Sequence, residues 1–308
     1  YNFSKLSKLY IEGAVSNYDA NTFSKISNGD NAGYGFKLIS DNAIPFSKQK
    51  NAWRILGGGK FEYITKQFKE IERYRSVEFY RDWSVRTIDF VDDQQWMEAY
   101  AGLAKPNEFL LKYTLATFIS GSVYDGLRHE ANAGFTKKGF NFKANGSYLE
   151  TDGTALSKTT FYKHNALLSK DISWLQVGVM EEEESNTLQL NSNQGISNNS
   201  FNYTLWKAYL KTQDSLQNGF NLSYQQREDK APLNNELIKS TLGEDIEVGF
   251  KVNQFNWQKL SGNATYRRVS VLDSAFVNLK PEDNVVGKIN YGLNLIKGTI
   301  TSNTYYEV

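Results

Sequence analysis

Cysteine is absent from this chain, which removes a disulfide framework, a thiolate nucleophile and any thiolate-held zinc or iron–sulfur centre. Proline is scarce, at 4 residues in 308, and histidine scarcer still, at 2. Neither sign of charge prevails. The formal net charge of +1 gives no field to steer the molecule toward nucleic acid, and no such partner is expected. No stretch approaches 18 consecutive apolar residues, so a transmembrane helix is not expected either. Walker A and helix-opening GxGxxG sequences are missing. Ser120-Gly121-Ser122 and Gly57-Gly58-Gly59 lack the strand–turn–helix setting of a nucleophile elbow and read as turns. The chain therefore reads as non-enzymatic, with no catalytic residue, cofactor or resident metal.

What is abundant is aromatic: 19 Tyr, 19 Phe and 6 Trp, set in segments that alternate with a period of two. Leu9, Ile11, Gly13 and Val15 alternate with Lys8, Tyr10, Glu12 and Ala14. Val123, Leu127, Ala131, Ala133 and Phe135 share one parity, and Phe140, Phe142, Ala144 and Tyr148 follow after Lys137-Lys138-Gly139, which reads as a hairpin. A further hairpin is read around Ser169-Lys170-Asp171, between Phe161–Leu168 and Ile172–Met180. About a dozen strands are legible, many of about 9–14 residues, longer than the 5–6 usual in soluble domains.

Strands of that length with one apolar and one polar parity fit a transmembrane barrel, where backbone groups must pair laterally because hydrocarbon offers them no partner. The expected fold is therefore all-β. Long antiparallel strands would form a transmembrane β-barrel or a substantial arc of a larger one, as one domain over residues 1–308 or part of one. A short helix is expected near residues 61–72, where Phe61, Ile64, Phe68 and Ile71 recur at helical spacing. Both ends, Tyr1-Asn2-Phe3 and Tyr305-Tyr306-Glu307-Val308, read as cuts through a longer chain. Phe142, Ala144, Tyr148 and Leu205 are expected to face lipid, and Asn145, Ser147, Asn202 and Thr204 to line a lumen. Glu181–Glu184 reads as a loop tip or strand exit, and Gln225–Glu236 as a loop.

The segment Arg73-Tyr74-Arg75-Ser76-Val77-Glu78-Phe79-Tyr80-Arg81-Asp82-Trp83, followed by Tyr- and Asn-rich alternating strands, resembles large outer-membrane proteins of Bacteroidota. The resemblance implies an outer-membrane location and a role in transport, secretion or envelope organisation. It also implies lipid and lipopolysaccharide as surroundings, with a plug, lipoprotein or other envelope subunit as partner.

The densest charge lies in the same segment. Read as a strand from Tyr74 to Arg86, it puts Glu78, Asp82 and Arg86 on one face and Arg73, Arg75 and Arg81 on the other. Carboxylates four residues apart on a strand are about 13 Å apart, too far for paired acid–base work. Ion pairing in a polar lumen, or contact with a partner, is the expected role of these six residues. His129 and His164 fall on different strands without diagnostic metal-ligand spacing. One competing reading remains open. A mean hydropathy of -0.54 also suits a secreted or periplasmic β-sheet scaffold or adhesin without a pore.

Overall fold

The computed structural model describes residues 2–4, 6–19, 31–85, 90–154, 158–189, 195–213, 217–255, 258–276, 281–295 and 300–307. The chain is all-β. Its strands are β1 (Asn2–Ser4), β2 (Ser7–Asn17), β3 (Ala32–Pro45), β4 (Arg54–Ile64), β5 (Gln94–Lys105), β6 (Phe109–Ser120), β7 (Tyr124–Lys137) and β8 (Phe140–Asp152). There follow β9 (Thr159–Ile172), β10 (Leu175–Leu188), β11 (Phe201–Thr212), β12 (Gly219–Leu233), β13 (Glu236–Phe255), β14 (Gln258–Val271), β15 (Glu282–Leu295) and β16 (Ile300–Glu307). A helical turn, α1 (Phe79–Asp82), and a 3-10 turn at Ser274–Phe276 interrupt them. All sixteen strands lie in a single sheet in sequence order, so each hairpin pairs neighbours without a crossover.

Tight turns fix that order. β12 and β13 meet through Asn234-Asn235, both at positive φ, the backbone that a two-residue hairpin requires. Lys138-Gly139 joins β7 to β8 with the same signs, at the place expected from the sequence. The turn expected at Ser169–Asp171 lies instead at Ser173-Trp174, and β9 runs through to Ile172.

The chain divides into two compact units: Tyr1–Gly134 with Asn145–Lys163 and Ser185–Ser200, and Phe135–Ala144 with His164–Glu184 and Phe201–Val308. In the first, cross-strand rows sort by chemistry. Ile11, Leu38, Phe61 and Met97 stand opposite one another across β2 to β5. One residue along, Glu12, Lys37, Glu62, Trp96 and Phe118 form the adjacent row, which faces the other way. The second unit repeats the arrangement. Leu210, Leu222, Val248 and Ala264 make one row, and Tyr209, Ser223, Glu247 and Thr265 the next. The apolar rows lie uncovered: Ile11 is 61% exposed, Leu222 45% and Val248 52%.

Several sequence expectations change here. Phe61–Ile64 ends strand β4, so no helix spans 61–72, and the helical turn comes later at Phe79–Asp82. Trp96 and Met97, not Ile71, meet the side chains of that strand, while Ile71 is fully exposed. Tyr74 to Val85 is likewise no strand, and Arg86 lies outside the described residues. Glu181–Glu184 belongs to β10 and Gln225–Leu233 to β12. Phe142 and Tyr148 are exposed, on the parity of the exposed Phe140. Leu205 is not: it pairs with Arg227 on the polar face, whereas the neighbouring Trp206 is exposed, and Asn202 shares the parity of Trp206.

The buried core sits in the first unit. Phe79, Trp83 and Val85 pack with Ala116, Phe118, Tyr124, Leu149 and Phe161 from four strands of the polar face.

Candidate functional site

Between β4 and β5 the chain leaves the sheet, and residues 65–85 and 90–93 form a loop laid on the polar face. Its first turn is pinned to the sheet. The Thr65 N–H donates to the Tyr34 carbonyl, the Tyr34 N–H to Thr65 Oγ1, and the Lys69 N–H to Ser16 Oγ. The Phe68 backbone presses so close to Gly33 that a Cβ there would sit 2.2 Å from it, so only glycine fits. At the far end Asp93 closes the loop on itself, accepting from the Tyr63 hydroxyl and the Lys66 N–H. Those two hydrogen bonds, the Tyr63 one foremost, hold the Asp93 carboxyl below its ordinary value.

The middle of the loop is anchored by aromatic packing. The α1 turn presents Phe79 to Trp96 at 5.1 Å and to Phe118 at 5.2 Å, the latter edge-on. Trp83 is wholly buried, 5.7 Å from Phe118, and its carbonyl accepts from the Tyr124 hydroxyl at 2.5 Å. Ser84 then turns at φ 54, ending the helical turn, and its Oγ accepts from Asn186 Nδ2.

Charge locks the same interface. Arg75 reaches Glu62 with two nitrogens at 3.1 and 3.2 Å and Gln94 with a third at 2.6 Å, while lying 4.3 Å over the Phe79 ring. Asp82 accepts from Lys163 Nζ at 2.5 Å and lies 3.9 Å from Arg128. Arg128 in turn pairs with Glu130 at 2.8 Å, approaches Glu98 and stacks 4.7 Å from the Trp83 ring. Burial pushes the Tyr74 phenol, beside Arg75, far above its usual range. A cleft of about 790 Å³ opens beside the loop, lined by Glu12, Lys37, Glu62, Phe68, Lys69 and Tyr74.

The six residues singled out by sequence thus part company. Arg75 and Asp82 are tied to the wall. Arg73 stays on the loop, donating to the Ser76 and Val77 carbonyls, and Arg81 and Glu78 form an exposed pair at 3.4 Å. Sequence reasoning missed the wall's half of the network: Glu62, Gln94, Glu98, Arg128, Glu130 and Lys163. Arg128 and Glu130 share the inward parity of β7 with Tyr124 and Gly126, a signal eclipsed by the apolar run on the other parity.

The second unit has a polar face of its own. The Tyr203 hydroxyl donates to Glu182, and Arg227 lies 4.1 Å over its ring. A cleft of about 680 Å³ on that face is lined by Lys207, Tyr209, Lys211, Gln225, Glu247 and Lys251. Chemically, both faces offer ordered, mixed-sign side chains suited to holding or passing polar solutes.

No protein-family model matches the chain. No curated protein matches it either. Among solved structures, similarity extends to a loop-deletion mutant of the outer membrane protein OmpT of Vibrio cholerae, at 9% identity and TM-score 0.40, over 98% of this chain and 100% of that one. An anion-selective porin from Comamonas acidovorans gives 9% identity and TM-score 0.38, over 86% and 90%. OccAB4 of Acinetobacter baumannii gives 9% and 0.30, over 98% and 92%.

Proposed function

We propose that this chain forms the wall of an outer-membrane β-barrel, as one domain over 1–308 or part of one. In this reading it is non-enzymatic and acts in transport, secretion or envelope organisation, with loop residues 65–85 narrowing a polar lumen. The observation that carries the reading is the uncovered apolar face. Rows such as Ile11–Leu38–Phe61–Met97 and Leu210–Leu222–Val248–Ala264 are matched in register from strand to strand. A water-bathed scaffold would expose this face as a large apolar patch, an aggregation liability. Lipid is the solvent that such a face suits, with lipopolysaccharide as its outer neighbour.

On this reading the loop faces the lumen, and its contacts set the pore. Lys60, Arg128 and Lys163 stand beside Glu62, Asp82, Glu98 and Glu130, so neither sign of charge dominates there. Polar solutes of modest size, rather than ions of one sign, suit such a lining. The test is refolding into detergent and then into planar bilayers. Heat-modifiable migration in SDS gels and discrete conductance steps are expected. A chain that stays monodisperse without detergent and gives no conductance would contradict the proposal.

A further inference from the structure

We infer that His164, Glu181 and Glu183, with the amide oxygen of Asn202, form a binding site for a divalent transition-metal ion of the zinc class. His164 lies on β9, the two glutamates on β10 and Asn202 on β11, which are neighbours in the sheet. His164 Nε2 is 2.5 Å from Glu181 Oε2. One ligand atom from each of His164, Glu181 and Glu183 falls within 4.8 Å of the other two. Ligands about 2.0–2.2 Å from a tetrahedral ion stand roughly 3.3–3.6 Å apart, so side-chain rotation alone can close the cluster on a metal.

Asn202 supplies an independent observation. It is 5% exposed, and its Nδ2 donates to Glu183 Oε1 at 2.9 Å, orienting that carboxylate. Its own Oδ1 is buried and finds no hydrogen-bond partner among the described residues. Buried acceptors are nearly always satisfied, and a bound cation beside Glu183 would satisfy this one.

The donor set also selects the ion. One imidazole nitrogen with carboxylate and amide oxygens suits zinc, cobalt or nickel, whereas calcium and magnesium favour all-oxygen sites. Two carboxylates carry two negative charges, which the ion would neutralise. Strand alternation keeps the rest of the glutamate run out of the way. Glu182 and Glu184 turn to the opposite face, where the Tyr203 hydroxyl reaches both. Glu181 and Glu183 continue the parity of the exposed Val177 and Val179, so the site lies at the edge of the apolar face.

The test uses the full chain, refolded in detergent and stripped with EDTA. It is titrated with zinc by calorimetry and with cobalt by visible absorption. One ion per chain is expected, with a cobalt spectrum of nitrogen and oxygen ligation. His164→Asn, Glu181→Gln and Glu183→Gln should each weaken binding by at least about tenfold, with His129→Asn as the unaffected control. Should His164→Asn fail to fold, Glu183→Gln carries the same test, since it leaves the His164–Glu181 contact in place. Non-saturable binding, equal weakening by His129→Asn, or equal competition by magnesium would overturn the inference.

Discussion

Arg75 and Glu62 meet 3.1 Å apart at the seam between loop and sheet, their side chains only 5% and 4% exposed. The pair is buried against aromatic rings and completed by Gln94, so each charge depends on the other for the solvation it has lost. Glu62→Leu should leave the guanidinium unpaired and weaken loop docking by about 3–5 kcal/mol. Trypsin cleavage at Lys66, Lys69 and Arg73 should accelerate, and the double variant Glu62→Leu/Arg75→Met should recover most of the loss. Unchanged cleavage in the single variant would show that the pair does not hold the loop.

Trp83 is the loop's largest wholly buried side chain. Trp83→Ala should cost about 3–5 kcal/mol through the cavity it opens. Tyr124→Phe removes only the hydroxyl that reaches the Trp83 carbonyl and should cost about 1–3 kcal/mol. Denaturant titration followed by near-ultraviolet circular dichroism orders the two. Equal effects would contradict the packing described.

The two faces of the sheet should differ in their tolerance of charge. Val248→Arg, on the exposed apolar row, should cost roughly 2–4 kcal/mol in bilayer-coupled folding titrations, as Arg does at mid-membrane. Leu205→Arg should cost much less, because Leu205 stands on the polar face opposite Arg227. Comparable costs at both sites would undo the assignment of faces.

Asp93 predicts an acid response. Its carboxyl is held below the ordinary 3.8 by the Tyr63 hydroxyl and the Lys66 N–H, so the folded loop favours the ionised form. That contribution is complete above the ordinary value and disappears as pH falls through the lowered one. Hydrogen exchange over residues 65–73, corrected for intrinsic rates, should therefore rise in the native protein below about pH 4. Asp93→Asn should show no such step, and an identical profile in both would dismiss the link.

How far the sequence spoke for the fold can be judged strand by strand. Period-two alternation located β2, β7 and β8 because one of their faces is apolar and the other polar. It failed for Gln225–Leu233 and Glu181–Glu184, which read as loops. There both faces are polar, so alternation vanishes while backbone pairing persists. The misplaced turn at Ser169–Asp171 had a larger consequence. With the turn at Ser173-Trp174, His164 comes across from the 181–183 stretch; three residues earlier, it does not. Trp174 hid the turn because it reads as one more apolar strand residue.

The loop was the least legible part. Tyr74 to Trp83 alternates like a strand, yet its aromatics pack on rings contributed by β5, β6 and β7, far along the chain. No local pattern encodes that.

The chain's lack of cysteine allows a direct test of the membrane account. Single cysteines would replace Asp245, Ile246, Glu247, Val248, Gly249 and Phe250 in turn, in protein reconstituted into liposomes. Each would be reacted with a water-soluble maleimide and, separately, carry a fluorophore quenched by lipid-borne spin labels. The account predicts strict alternation: maleimide reaction at 245, 247 and 249, and lipid quenching at 246, 248 and 250. Uniform maleimide reaction along the strand, with no lipid quenching at any position, would contradict it.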